Sequence, residues 1–243
     1  MEIDIQLIPS PPDTEILSKK TVVVIDVLRA TSVIVHALSQ RVLEVIPVAT
    51  IEEAFHLARK FPAGSTLLGG ERGSCRIEGF DLGNSPREYI AERVGGKRLI
   101  LTTTNGTKAF RFVSSGGEVM VGSFLNISAI ANRCVANGLD IFIFPSGDSG
   151  NFSLEDVVCG GMLIDLVLRG DKRSFHLSDA SFSAKIIYEY FKDNLSKALY
   201  LSNHGKELVE RGFGEDIPFC SQTDITSIVP IFKDGRIRGF SDF

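Results

Sequence analysis

Residues 22–28 read Val-Val-Val-Ile-Asp-Val-Leu, apolar and mostly β-branched except for Asp26, and a stretch of helical character follows over about residues 31–40. A continuous apolar run suits a strand covered on both faces, as in a parallel sheet flanked by helices; a half-solvated strand would alternate. Residues 42–49 read as a second strand. Thr50 then caps a helix with Glu52 and Glu53 in its first turn, where acids favour the helix dipole. That helix ends near Pro62-Ala63-Gly64, and a third strand begins over residues 66–69.

The same order returns. Residues 98–103 read as a strand, Asn105-Gly106-Thr107 opens a helix that ends at Gly116-Gly117, and residues 118–123 form the next strand. Asn126 caps a helix ending at Asn137-Gly138, and residues 140–144 are again a strand. Three pairs keep one offset of 76 residues: Arg29 with Asn105, Thr31 with Thr107, Thr50 with Asn126. The matched order points to a βαβαβ duplication, with halves 22–97 and 98–170 inside one globular unit of residues 1–243. A helix over 153–168 opens with Ser153-Leu154-Glu155-Asp156, which resembles a capping box. Two or three helices follow from about Ser174. A hairpin then closes the chain, residues 227–232 and 236–240 about Lys233-Asp234-Gly235, because Asp-Gly between apolar runs is a strong hairpin signal. The fold class is therefore α/β: a layered α/β/α arrangement with a largely parallel sheet and a C-terminal β-hairpin.

Bulk properties narrow the function. The chain has 243 residues and a net charge of −4, which argues against a nucleic-acid partner but leaves room for a locally positive anion site. Its four cysteines are far apart with no C-x-x-C pair, so structural zinc and a disulfide framework are not expected, and reduced thiols in the cytoplasm are. The N-terminus alternates like an edge strand and has no apolar core of a signal peptide. No apolar run approaches the roughly 20 residues that span a bilayer, so no membrane partner is expected. The sequence leaves oligomeric state open; a homo-oligomer is compatible with it.

In parallel α/β sheets ligands bind beyond the carboxyl ends of the strands, and the polar residues gather there. Asp26-Val27-Leu28-Arg29 follows the first strand; an acid so placed is costly without a partner or a metal, and either a salt bridge to Arg29 or a metal or catalytic role would answer it. Thr102-Thr103-Thr104-Asn105-Gly106-Thr107-Lys108 puts hydroxyls and free amides at a helix start, an anion site or plain capping. It lacks the P-loop pattern, so ATP is not implied. Gly69-Gly70-Glu71-Arg72 and Gly79-Phe80-Asp81-Leu82-Gly83-Asn84-Ser85-Pro86 lie in one long loop, where Glu71 and Asp81 either hold a hard cation or solvate and cap the loop. Residues 145–152 match the place of Glu71 in the other half; Asp156 at the next helix start either ligates metal or caps. A lone His204 reads more readily as a cap or surface residue than as a catalyst.

Taken in order, Val24-Ile25-Asp26-Val27-Leu28-Arg29-Ala30-Thr31-Ser32, Leu68-Gly69-Gly70-Glu71-Arg72, the segment 79–86, Thr102 to Thr107 and Ser153-Leu154-Glu155-Asp156 resemble the 2-phosphosulfolactate phosphatase family, with weaker support from His204-Gly205 and Asp216-Ile217. The resemblance covers nearly the whole chain. It implies hydrolysis of (R)-2-phospho-3-sulfolactate to 3-sulfolactate and phosphate with Mg²⁺, a step of coenzyme M synthesis in methanogens. The expected partner is then a small anionic phosphorylated acid. On this reading Asp26, Arg29, Glu71 and Asp81 are catalytic, and Asp26, Glu71, Asp81 and Asp156 supply metal ligands. Thr103, Thr104, Asn105, Gly106 and Thr107 cradle phosphate, Arg29 and Arg72 clamp anionic groups, and Asn84 and Ser85 complete the cradle. The nucleophile is water or Asp26; Leu28 stands where a haloacid-dehalogenase-type phosphatase carries its second Asp. An isomerase or lyase acting on a related phosphorylated acid and a non-catalytic anion-binding module are the rival readings.

Overall fold

The computed structural model describes residues 1–240. Its first series of elements is β1 (Glu2–Ile5), α1 (Thr14–Leu17), β2 (Thr21–Ile25), α2 (Ala30–Ser39), β3 (Glu44–Pro47), α3 (Ile51–Ala58), β4 (Thr66–Arg72) and β5 (Cys75–Arg76). The second is α4 (Ala91–Val94), β6 (Arg98–Thr102), α5 (Gly106–Phe112), β7 (Glu118–Gly122), α6 (Ile127–Asn137), β8 (Ile141–Pro145) and α7 (Leu154–Gly170). The remainder is β9 (His176–Leu177), α8 (Asp179–Phe191), α9 (Leu195–Leu201), α10 (Asn203–Glu210), α11 (Asp216–Cys220), β10 (Val229–Lys233) and β11 (Arg236–Phe240).

These strands form one 11-stranded sheet in the order β5-β4-β6-β3-β11-β10-β7-β2-β8-β1-β9. It contains two parallel blocks. In the first, β6 pairs with β3 and β4; in the second, β2 pairs with β7 and β8, and β1 continues from β8. Each strand–helix series thus places its leading strand between the two later strands of the other. The C-terminal hairpin sits between the blocks, β11 antiparallel to β3 and β10 antiparallel to β7, so the blocks run in opposite senses. Twist reconciles this with a shared site. Successive strands turn by roughly 20–25°, so the five steps from β6 to β2 accumulate about 100–125°. The carboxyl ends of β2 and β6 thereby swing together. At their junction a Cβ on Gly106 would lie 2.4 Å from the Ala30 Cβ and 2.6 Å from Asp26 Oδ2, so only glycine fits.

Packing follows the apolar runs. Val22 and Val24 of β2 point into a central core shared with Leu99 and Leu101 of β6 and with Val33, Ile34 and Leu38 of α2. Val23 and Ile25 point the other way, toward Val157, Cys159 and Leu163 of α7. Ile100 and Ile46 face a third cluster with Ala54 of α3 and Phe80. Both faces of each block are covered, as the β-branched runs require.

Several local signals act as expected. Thr50 Oγ1 accepts from Glu53 N at 3.1 Å, Ser153 Oγ accepts from Asp156 N at 3.4 Å, and Asp234 and Gly235 take φ of 51° and 74° at the hairpin turn. Others differ. Asn126 does not cap α6: its Oδ1 accepts from Ser123 N and its Nδ2 donates to Val121 O and Ile228 O, which ties the turn to the hairpin's approach. The helix after Asn105 stops at Phe112, short of Gly116. β1 is not an edge strand, because the two-residue β9 covers it. Four helices, α8 to α11, fill the region before the hairpin. Among the described residues no helix is long and apolar enough to cross a membrane.

Candidate functional site

Asp26 directly follows β2 and is buried, 7% exposed. Its backbone is clasped by Thr31, whose hydroxyl accepts from Asp26 N (3.0 Å) and donates to Asp26 O (2.9 Å). Its Oδ1 accepts from Ala30 N at 3.1 Å, and no hydrogen bond reaches Oδ2 among the described residues. Burial dominates its titration and pushes the carboxyl up to about 6; the Ala30 amide and His204 oppose that rise, while Glu155 and Glu71 add to it. Directly behind, the Asp156 Oδ1 accepts from Val27 N at 2.8 Å and holds the strand end. Asp156 and Glu155 are both buried and both are raised above the usual carboxylate range, first by desolvation; for Asp156, repulsion from Glu155 and Asp26 follows.

Around Asp26 opens a crevice of about 140 Å³, lined by Arg29, Glu71, Asn84, the turn 103–105, Asp148, Ser149, His204 and Glu207 among others. Its walls come from the ends of β2, β4, β6 and β8 and from α10. Glu71 bridges two of them, Oε1 accepting from Thr104 N (2.8 Å) and Oε2 from Ser74 N (2.9 Å). Asn84 Oδ1 is buried with no hydrogen-bond partner among the described residues. His204 stands on the rim in the first turn of α10, its Nδ1 3.9 Å from Glu207 Oε2. Among the described residues four carboxylates line this space, and only Arg29 and His204 are basic. A multiply charged anion could enter only if a further positive charge offset those acids. A larger cleft of about 900 Å³ lies between α5 and the hairpin turn, but its Glu53 and Glu118 are already engaged, by Ala49 N and by Arg133. Converging unsatisfied groups, not volume, make the crevice the candidate site.

A family model described as 2-phosphosulpholactate phosphatase matches residues 7–235. The chain belongs to that family. Similar proteins include a probable 2-phosphosulfolactate phosphatase of Caldanaerobacter subterraneus subsp. tengcongensis, 44% identical over 228 residues and covering 93% of each chain. Relatives of the same name in Clostridium novyi and Clostridium acetobutylicum are 40% and 38% identical, each over 237 residues, covering 98% of this chain and 99% and 100% of theirs.

The structure of this family member distributes the residues singled out from sequence unevenly. Asp26, Arg29, Glu71, Asn84, Thr103, Thr104 and Asn105 line the crevice together. Asp26 and Arg29 form no salt bridge with each other. Arg29, 1% exposed, instead donates from Nη1 to Asp216 Oδ2 (2.7 Å) and from Nη2 to Ser74 O (2.9 Å), and lies over the Phe213 ring at 4.6 Å. Ser85 donates its hydroxyl to the other oxygen of Asp216. Arg72 turns away, donating to Glu71 O and to Thr102 Oγ1. Asp81 is exposed and apart from the crevice; its Oδ2 accepts from Leu68 N and its carbonyl from Arg93. Asp156 stays behind Asp26 and does not line the opening. The threonine turn spends much of its polarity on itself: Thr107 Oγ1 accepts from Thr103 N and donates to Thr103 O, Thr103 Oγ1 accepts from Thr107 N, and Thr104 N is taken by Glu71. Ser74, Asp148, Ser149, His204, Glu207 and Asp216 are the contributors that sequence reasoning passed over or left weak. The polar runs around His204 and Asp216 were the available signal. Among the described residues no three His, Cys, Asp or Glu side chains are grouped as a ready metal cage.

Proposed function

We propose that this protein hydrolyses a small, multiply anionic phosphate monoester, 2-phosphosulfolactate, releasing phosphate and 3-sulfolactate with the help of Mg²⁺. The observation that carries the reading is the acid-lined crevice at the meeting of β2 and β6, in a chain similar over nearly its whole length to probable 2-phosphosulfolactate phosphatases. The donor set suits the ion. Mg²⁺ commonly binds one or two carboxylates, keeps several waters and takes substrate phosphate oxygens, so it needs no cage of three side chains. Asp26, through its free Oδ2, would be the first ligand, with Glu71 and Asn84 Oδ1 of the same crevice lining available to join it. When bound, Mg²⁺ supplies positive charge to the phosphoryl oxygens and offsets the crevice's carboxylates.

The protein's own groups do the rest. Asp156 and the Thr31 clasp fix the backbone on either side of Asp26 so that its carboxylate does not swing. Glu71 holds the threonine turn against the loop at Ser74, which shapes the opposite wall. Arg29 acts as a buried brace through Asp216, lending its charge to the crevice from a fixed position. As water bonds to phosphorus and the ester P–O bond breaks, His204 on the rim is the group assigned to give a proton to the departing alkoxide oxygen, because sulfolactate is a poor leaving group and the other basic side chain of the crevice is a guanidinium. The test is phosphate release from 2-phosphosulfolactate, 2-phospholactate and 2-phosphoglycolate, with chelator and with Mg²⁺ restored. Release that chelation abolishes and Mg²⁺ restores supports the proposal. No release from any of the three overturns the phosphatase reading, and release indifferent to chelation overturns the metal.

A further inference from the structure

A second chamber of about 420 Å³ opens beside the crevice and shares Thr104, Asn105 and Ser149 with it. Its floor is aromatic, Phe112 and Phe144, and its rim carries Lys108 and Ser146. Lys108 is exposed and has no hydrogen bond or ion pair among the described residues. Ser146 is 6% exposed, and its Oγ is buried without a partner among the described residues. A buried hydroxyl left unpaired costs about 1–3 kcal/mol, so the arrangement lacks an acceptor there. The crevice offers a second strong anion no free guanidinium or ammonium: Arg29 is committed to Asp216, Arg72 turns away, and four carboxylates line the wall beside His204.

We propose that this chamber is a specificity subsite for the substrate's second strong anion, a sulfonate one carbon removed from the phosphate-bearing carbon, held by the Lys108 ammonium and the Ser146 hydroxyl while the phosphoryl group occupies the crevice. The proposal rests on the phosphatase reading for the crevice and assigns what the neighbouring chamber selects. Sulfonate suits it because its oxygens accept from both an ammonium and a hydroxyl, and because it stays charged at any pH the protein meets.

The test compares two substrates that differ only by that group, 2-phosphosulfolactate and 2-phospholactate, in wild type, Lys108→Gln, Lys108→Arg and Ser146→Ala. Lys108→Gln should raise KM for the sulfonated substrate about tenfold or more, with kcat changed less than about threefold and 2-phospholactate kinetics unmoved. Added salt should shrink the difference, as it does for exposed charges. Lys108→Arg should keep most of the discrimination, and Ser146→Ala should lose part of it without lowering thermal stability, since no hydrogen bond is removed. Equal losses on both substrates, or none on either, overturn the subsite. Calorimetric binding of 3-sulfolactate reports on the chamber independently of turnover. If wild type hydrolyses neither substrate but binds 3-sulfolactate and Lys108→Gln does not, the catalytic reading fails and the subsite stands; equal binding to both, or no binding to wild type, sinks it.

Discussion

The two strand ends that meet at the crevice are built alike and used differently. At the end of β2, the Thr31 hydroxyl bridges the N–H and C=O of Asp26 at 3.0 and 2.9 Å; at the end of β6, the Thr107 hydroxyl bridges those of Thr103 at 3.2 and 3.1 Å. Both clasps turn a buried strand into a helix. At β6 the clasped residue spends its own side chain on the turn, since Thr103 Oγ1 accepts from Thr107 N. At β2 the clasped residue is an acid with one oxygen left over, surrounded by Glu155, Asp156 and Glu71. One backbone device thus spends its polarity on the turn in one block and holds a buried carboxyl, raised by desolvation, in the other.

The largest break in that comparison is Asp26→Asn. Phosphate release should fall about 10³-fold, while the metal-free protein becomes more stable at neutral pH. The sign follows from the titration. The folded carboxyl, near 6 against an ordinary 3.8, holds its proton longer than the unfolded one. Asp26 therefore subtracts stability as pH rises from about 4 to about 6, by roughly 3 kcal/mol in total. Melting temperature should rise by about 5 °C in Asp26→Asn, and the pH dependence of stability between those limits should flatten. A lower melting temperature would show that the acid is not strained.

Arg29→Met breaks the brace instead. It strands the buried Asp216 carboxylate and should cost about 3–5 kcal/mol in urea unfolding, with activity lost alongside. A variant as stable as wild type would mean that the brace adds nothing. Gly106→Ala pushes a methyl against Asp26 Oδ2 and Ala30 at the point where the blocks touch. A loss of about 1–3 kcal/mol, together with a reduced kcat, is expected. Unchanged kinetics would separate that contact from function. The smallest and sharpest comparison is Thr31→Val beside Thr107→Val. Each leaves a buried N–H unpaired and should cost about 1–2 kcal/mol. Only Thr31→Val should depress kcat well beyond what stability explains, because only that clasp aims the carboxylate proposed to hold the metal. Equal kinetic losses would erase the distinction drawn between the two strand ends.

Much of the site was legible as chemistry and little of it as place. An acid in a β-branched run, a threonine-rich helix start and a Gly-rich loop with Glu71 and Asn84 each announce themselves locally, and these parts do share one crevice. Arg72 and Asp81 look equally reactive in one long loop of the sequence, yet Arg72 ends β4 and donates to Thr102, while Asp81 alone stays in the loop and accepts from Leu68, each turning toward a nearby unsatisfied hydroxyl or backbone group. His204 and Asp216 arrive from 178 and 190 residues after Asp26, with no local pattern that distinguishes them from ordinary helix-start polar groups.

The sequence by itself determined the main strands and helices of the two series, where Thr50 and Ser153 start helices, the Asp-Gly hairpin turn, and that the strands are covered on both faces. These depend on neighbours a few residues apart: propensity, capping and burial period. Only the tertiary structure decided that the hairpin enters the middle of the sheet, that the two parallel blocks run in opposite senses, and that each takes its central strand from the other series. A strand buried on both faces presents the same apolar pattern whichever partner it pairs with. Strand order is chosen by packing and accumulated twist across the whole sheet, and that choice brings Asp26 and the threonine turn together.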